Sequence, residues 1–100
     1  MIDPGDIAPR RDTGDEVYVV VLSNSIYLAA DTGRVITCPY IPAQIPDTAL
    51  AMVVPVQQPE GVVLPELVQW LPTVALDEPI GNIGTQALRE TVTLITALVS

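Results

Sequence analysis

Val17-Tyr-Val-Val-Val-Leu22 is bounded by Thr13-Gly-Asp-Glu16 on one side and Ser23-Asn-Ser25 on the other. A run of apolar, mostly β-branched and aromatic residues between turn-forming clusters reads as a buried strand. Outward from it, Val35-Ile-Thr-Cys38 follows the turn signal Asp31-Thr-Gly-Arg34, so the two runs read as a hairpin-like pair joined by a loop from Ser23 to Arg34. Pro39, Pro42 and Pro46 lack the amide hydrogen that a ladder needs, which predicts an irregular crossing over residues 39 to 48. Leu50-Ala-Met-Val-Val54 and Val62-Val-Leu64 flank the turn chemistry of Pro55 to Gly61 and predict a second hairpin. Glu66 to Leu71, fenced by Pro65 and Pro72, suits either a further strand or a short helix.

After a loop from Asp77 to Gly84, the segment from Thr85 to Ser100 sets Leu88, Val92, Ile95 and Val99 at helical spacing, with Thr85 available as N-cap. Its many β-branched residues, and the alternation of Val92, Leu94 and Leu98, also suit a strand. The order of elements predicts a single domain over residues 1–100, mainly β with a C-terminal helix, built as an antiparallel sheet or small barrel with the helix packed on one side.

The 100 residues hold 49% hydrophobic and 16% charged side chains, enough apolar surface to fold despite a net charge of −8. A chain this short gains much from a partner, and a generic oligomeric β module is one reading of its apolar content. Histidine is absent and the four basic residues are all arginine. That excludes His-centred acid–base pairs, His metal sites, Schiff-base lysines and P-loop lysines. Cys38 is the lone cysteine, so no intrachain disulfide forms, and a reducing cytoplasm is expected. The N-terminus lacks the charge-then-apolar pattern of a signal peptide, and the longest apolar stretch, Ala49 to Val56, is far shorter than the roughly 20 residues that span a bilayer. A soluble protein without a membrane association is expected.

Several short segments, in this order, resemble the MazF-like toxins, which share their fold with the CcdB toxins. Gly5-Asp6-Ile7 is similar to the family's opening, Val19-Val-Val-Leu-Ser-Asn24 to its strand ending in Val-Val-Leu-Ser, and Ile36-Thr-Cys-Pro39 to its next strand. Gly61-Val-Val-Leu-Pro-Glu66 is similar to a later segment, and Leu88 to Leu98 resembles the closing helix. The resemblance covers most of the chain and implies an SH3-like β-barrel. It further implies a homodimeric toxin of a type II toxin–antitoxin system that cleaves single-stranded mRNA or tRNA without a metal or cofactor and is blocked by a cognate antitoxin. Three departures bear on activity. The family's catalytic arginine and threonine positions fall at Val17 and Ile41, the loop before Val17 is short, and the acidic-Gln pair of the later strand is here Glu66-Leu67.

Attack by a ribose 2′-hydroxyl needs a base, an acid for the leaving oxygen and a donor for the phosphorane-like charge. Arg10 and Arg11 are candidate replacements for the missing arginine, because guanidinium presents a fork of donors to phosphate. Asp15, two residues before Val17, is the candidate base. The plainer reading of this stretch is a solvated loop of self-neutralising charges. Arg34, beside Gly33, is a candidate phosphate contact or a solubility residue, and Arg89 a polar-face residue of the helix. Tyr40 and Trp70 are candidates for base stacking or for core or interface anchors, and for Trp70 packing is the favoured reading. Cys38, with no histidine to activate it, reads as core. The acidic residues lack a metal-loop spacing, so no metal site is expected. The charge of −8 opposes nucleic-acid binding except where three of the arginines gather before residue 35. The alternative function is a non-catalytic or CcdB-like binding toxin of the same fold acting through a protein partner, for which the apolar Val17 and Ile41 argue.

Overall fold

The structure, a computed structural model, describes residues 2–14, 16–42, 53–57 and 59–99. Its first strand β1 (Asp6–Pro9) pairs antiparallel with β2 (Tyr18–Val21), and β2 pairs with the long β3 (Arg34–Pro42). On its other edge β3 changes partner. Arg34 to Thr37 pair with β6 (Gln69–Pro72), while Tyr40 to Pro42 pair with β5 (Glu60–Val63), which closes a hairpin with β4 (Val54–Gln57). A short β7 (Gly81–Asn82) completes the other edge on β1. The sheet curls around β3 as a half-barrel, and α2 (Gly84–Val99) packs across it.

The central run is apolar throughout because both of its faces are covered. Ile7, Val20, Cys38, Tyr40, Val54 and Val63 lie on one side with Ala87, Leu88 and Leu94 of α2. Ala8, Val19, Val21, Val35, Leu71 and Leu76 form a second cluster on the other. A strand buried on both faces loses the alternation of a one-sided sheet.

The predicted irregular crossing is corrected over its first residues, because β3 runs on through Pro39 to Pro42; residues 43–48 lie outside those described. Pro39 is tolerated where β3 passes from β6 to β5. Its carbonyl accepts from the Leu64 amide at 3.0 Å, and its missing donor falls at the gap between the two partners. Pro55 lies inside β4, an exposed position on an edge strand, so the second hairpin turns more tightly than expected; residues 50–52 are outside those described. Glu66 to Leu71 divides between both expectations, a 3-10 turn (Pro65–Leu67) and then β6.

The predicted loop from Ser23 to Arg34 contains a helical turn, α1 (Ser25–Ala29), whose N-cap Asn24 accepts from the Tyr27 amide at 2.8 Å. The closing helix begins one residue earlier than Thr85, and it is Asn82 whose side chain accepts from the Gly84 amide at 2.8 Å. Its predicted apolar stripe is only partly turned to the core, with Leu88 and Ile95 half-buried. Ala87, Leu88, Thr91 and Leu94 face inward, while Val92 is 43% and Val99 79% exposed. Buried Thr91 satisfies its hydroxyl on the Ala87 carbonyl one turn back, so a polar residue holds a core position without an orphaned group.

Candidate functional site

Strand register decides which residues meet around Val17 and Ile41. The β1–β2 pairing of Pro9 with Tyr18 continues one residue further, where the Arg10 amide donates to the Val17 carbonyl at 2.8 Å. The β2–β3 pairing of Tyr18 with Tyr40, carried the same step, sets Val17 opposite Ile41, and Ile41 pairs with Val62 of β5. Directly paired residues point to the same face. Continued by this step, the register aligns Arg10 and Val17, just beyond the ends of β1 and β2, with Ile41 of β3 and Val62 of β5. Val17 is half-buried and Ile41 is 37% exposed, so the row opens to solvent at its centre.

The Arg10 guanidinium grips Asp12 through two parallel bonds, Nε to Oδ1 at 2.9 Å and Nη2 to Oδ2 at 2.8 Å. Its hydrogen bond to the carboxylate raises the arginine's pKa and lowers that of Asp12. Arg11 turns the other way. Its Nε donates to the Val74 carbonyl at 2.7 Å, and it lines a hollow of about 200 Å³ with Thr73, Asp77 and Glu78. The two adjacent arginines thus serve different surfaces. Asp15 lies outside the described residues. On the opposite face from the row, Tyr18 donates its hydroxyl to Glu16 Oε1 at 3.0 Å, and that bond raises the phenol's pKa.

Arg34 lies at the start of β3, away from the row, in a cleft of about 590 Å³ between α1, the turn after it and the N-terminal residues. Among the described residues its guanidinium has neither a hydrogen bond nor an ion pair. The hollow that holds Arg11 adjoins this cleft, the two sharing Ile2 and Thr73.

The two aromatic candidates differ in exposure. Tyr40 is only 3% exposed and its hydroxyl donates to the carbonyls of Pro59 and Glu60 at 2.8 and 3.0 Å, so it braces the β4–β5 turn and has no open face for a base. Trp70, expected to pack, is 53% exposed with its ring edge-on to Tyr27, centroids 5.6 Å apart. Its position follows from the register: it pairs with Ile36 on the open end of the α2 side of the sheet. Tyr27, Trp70, Leu22, Ile36, Leu88 and Val92 line an apolar groove of about 500 Å³ that carries no charged residue.

Cys38 is fully buried, and burial pushes its thiol up to about 12, which keeps it protonated and unreactive. No group of three or more potential ligands that would hold a metal ion occurs among the described residues, and no helix there is long and apolar enough to cross a membrane. The sequence reading missed Tyr27 and the cleft beside it. The available signal was Asn24 followed by Ser25, a helix start inside what reads as a loop.

The family described as "Type II toxin-antitoxin system toxin Rv0299" matches residues 5–98. "Toxin Rv0299" of Mycobacterium tuberculosis (strain ATCC 25618 / H37Rv) is 63% identical over 98 residues, 98% of each chain. Among solved structures, a MazE-MazF crystal structure from Deinococcus radiodurans aligns with a TM-score of 0.79 at 21% identity, covering 99% of this chain and 95% of that one. An endoribonuclease in complex with its cognate antitoxin from a mycobacterial species aligns at 0.68 and 18% identity, covering 97% and 92%. Mycobacterium tuberculosis toxin MazF-mt6 aligns at 0.70 and 18% identity, covering 92% and 93%. At these identities the structural likeness speaks for the fold, which is that of the MazF toxins.

Proposed function

This chain belongs to the Rv0299 family of type II toxin–antitoxin toxins, and on that premise we propose that it is a metal-independent endoribonuclease acting on single-stranded RNA in the cytoplasm. The observation that carries the reading is the row Arg10, Val17, Ile41. The two positions at which MazF-like toxins keep their arginine and threonine lie side by side here with apolar side chains, and an arginine stands one strand away on the same face.

In this reaction the 2′-hydroxyl attacks the adjacent phosphorus and the bond to O5′ breaks, leaving a 2′,3′-cyclic phosphate and a 5′-hydroxyl. Asp15 takes the 2′ proton and the surrounding water protonates O5′. Arg10 supplies two donors to the non-bridging oxygens as charge builds on them. Its present partner is an exposed carboxylate, and an exposed ion pair contributes little to stability, so a phosphate readily takes the place of Asp12. Arg11, turned toward Val74, Asp77 and Glu78, takes no part in this row.

Two copies pair through the apolar groove around Trp70 and Val92, both exposed in the single chain. The structural relatives crystallised with antitoxins support a cognate antitoxin as the protein partner. Because this surface is acidic overall, that antitoxin binds through apolar anchors more than through acidic side chains. The test is purified protein on single-stranded RNA with a chelator present. Discrete cuts with 5′-hydroxyl ends support the ribonuclease. Intact RNA leaves the second reading, a toxin of the same fold that acts by binding a protein target, which the apolar Val17 and Ile41 favour.

A further inference from the structure

The cleft around Arg34 has no part in the row of residues just described. Its volume of about 590 Å³ lies within the range of small-ligand sites, and its walls carry three kinds of recognition chemistry. Ile2, Pro4 and Leu28 give it an apolar side. Arg34 gives it a guanidinium that has no partner among the described residues. Asp3 and Asp31 give it carboxylates. Tyr27 adds a directed donor. Its oxygen already accepts the Thr32 hydroxyl at 2.8 Å, so its own hydrogen remains for a ligand, and the ring is held edge-on against Trp70. The turn that presents these groups is unusual in its backbone. Asp31 has φ 51° and Gly33 φ 84°, so the chain reverses sharply enough to bring Asp31 and Arg34 to the same cleft.

From this arrangement we infer that the cleft is a ribonucleotide-binding site, in which Arg34 takes the phosphate, a carboxylate of Asp31 or Asp3 accepts from the ribose hydroxyls, and the base lies against the apolar wall. With one guanidinium and two carboxylates among its lining residues, the cleft suits a phosphate of low charge over a triphosphate. The carboxylates demand hydroxyl donors, so ribose is preferred over deoxyribose. The nucleotide is either free or one residue of a bound RNA. In the second form the inference rests on the ribonuclease reading, naming where a nucleotide away from the cut is held; in the first it stands without it.

The test uses the full chain and amide-resonance mapping by NMR. The four 5′-ribonucleoside monophosphates, their 2′-deoxy counterparts, ATP and inorganic phosphate are titrated separately. A short single-stranded RNA is then titrated into an Arg10→Ala variant, whose substituted side chain bonds Asp12 and does not line this cleft. Saturable shifts over residues 27–34 with a ribonucleoside monophosphate establish a free-nucleotide site, and the same shifts with RNA alone establish an RNA subsite. In either case Arg34→Gln is expected to weaken binding at least tenfold. Asp3→Asn combined with Asp31→Asn, the second of which tolerates the positive φ, is expected to erase the preference for ribose. Absence of shifts at 27–34 with every ligand, equal binding of the deoxy forms, or an unchanged affinity in Arg34→Gln would overturn the inference. RNA cleavage is scored separately, so loss of the ribonuclease reading does not decide this one.

Discussion

Tyr40 is a structural brace in this account, and Gly61 is the residue that makes room for it. A Cβ on Gly61 would lie 2.5 Å from Cζ and from the hydroxyl oxygen of Tyr40, and 2.6 Å from the Ile41 carbonyl oxygen. The last of these is backbone, so Gly61→Ala forces either β3 or β5 to move. Overpacking of this kind costs about 1–3 kcal/mol. Displacing the Tyr40 hydroxyl from the Pro59 and Glu60 carbonyls removes a further ~1 kcal/mol. The sum, about 2–4 kcal/mol, is a large part of the stability of a domain this size. At roughly 4–8 °C per kcal/mol, the melting temperature is expected to fall by ~10–30 °C. Urea unfolding followed by circular dichroism measures it, with Gly14→Ala as control, since nothing lies within 4 Å of a Cβ there. If Gly61→Ala unfolds within about 0.5 kcal/mol of the parent, the scale of an ordinary surface change, then Tyr40 does not brace this turn and its assignment as a buried strut is wrong.

The Asp12 carboxyl is expected to titrate below its ordinary value of 3.8, and Arg10→Ala to return it there, read by carbon NMR of the side chain. Because its folded pKa is depressed, the pair's small stabilising effect is present above the ordinary carboxylate pKa and fades as pH falls through the depressed one. Cys38 is expected to resist thiol reagents at pH 8 in the native protein and to react fully once unfolded, since its thiol is pushed up to about 12 by burial; fast native labelling would contradict that burial. Trp70→Ser is expected to shift the proposed dimer toward monomer in analytical ultracentrifugation while the far-ultraviolet spectrum holds, because the side chain is exposed in the single chain.

The sheet was legible where burial wrote a pattern. Val17 to Leu22 and Val35 to Cys38 read as strands because both faces are covered, and their order before a terminal helix announced the fold class. Proline misled, because the sequence does not say whether a missing amide would have met a partner; Pro39 sits at a change of partners and Pro55 on an edge. The stripe Leu88, Val92, Ile95 and Val99 is real as a pattern, yet periodicity cannot tell a core from a surface awaiting a partner. At the site, the sequence offered Arg10 and Arg11 alike as replacements for the residue at Val17. That the Arg10 amide meets the Val17 carbonyl is visible only in the strand pairing. The opposite direction of Arg11, the burial of Tyr40 and the exposure of Trp70 all follow from long-range pairing, which no local pattern carries.

The central claim is that Arg10 does the work of an arginine at Val17 from one strand away. Cleavage of a single-stranded RNA in the presence of chelator should be compared for the parent, Arg10→Ala, and Arg10→Ala combined with Val17→Arg. Loss of a charge-stabilising donor is worth about 10²–10³ in rate, so Arg10→Ala is expected to cut at least a hundredfold more slowly, and Val17→Arg to restore at least tenfold at the same cut sites. Cleavage by Arg10→Ala at the parent's rate would contradict the account.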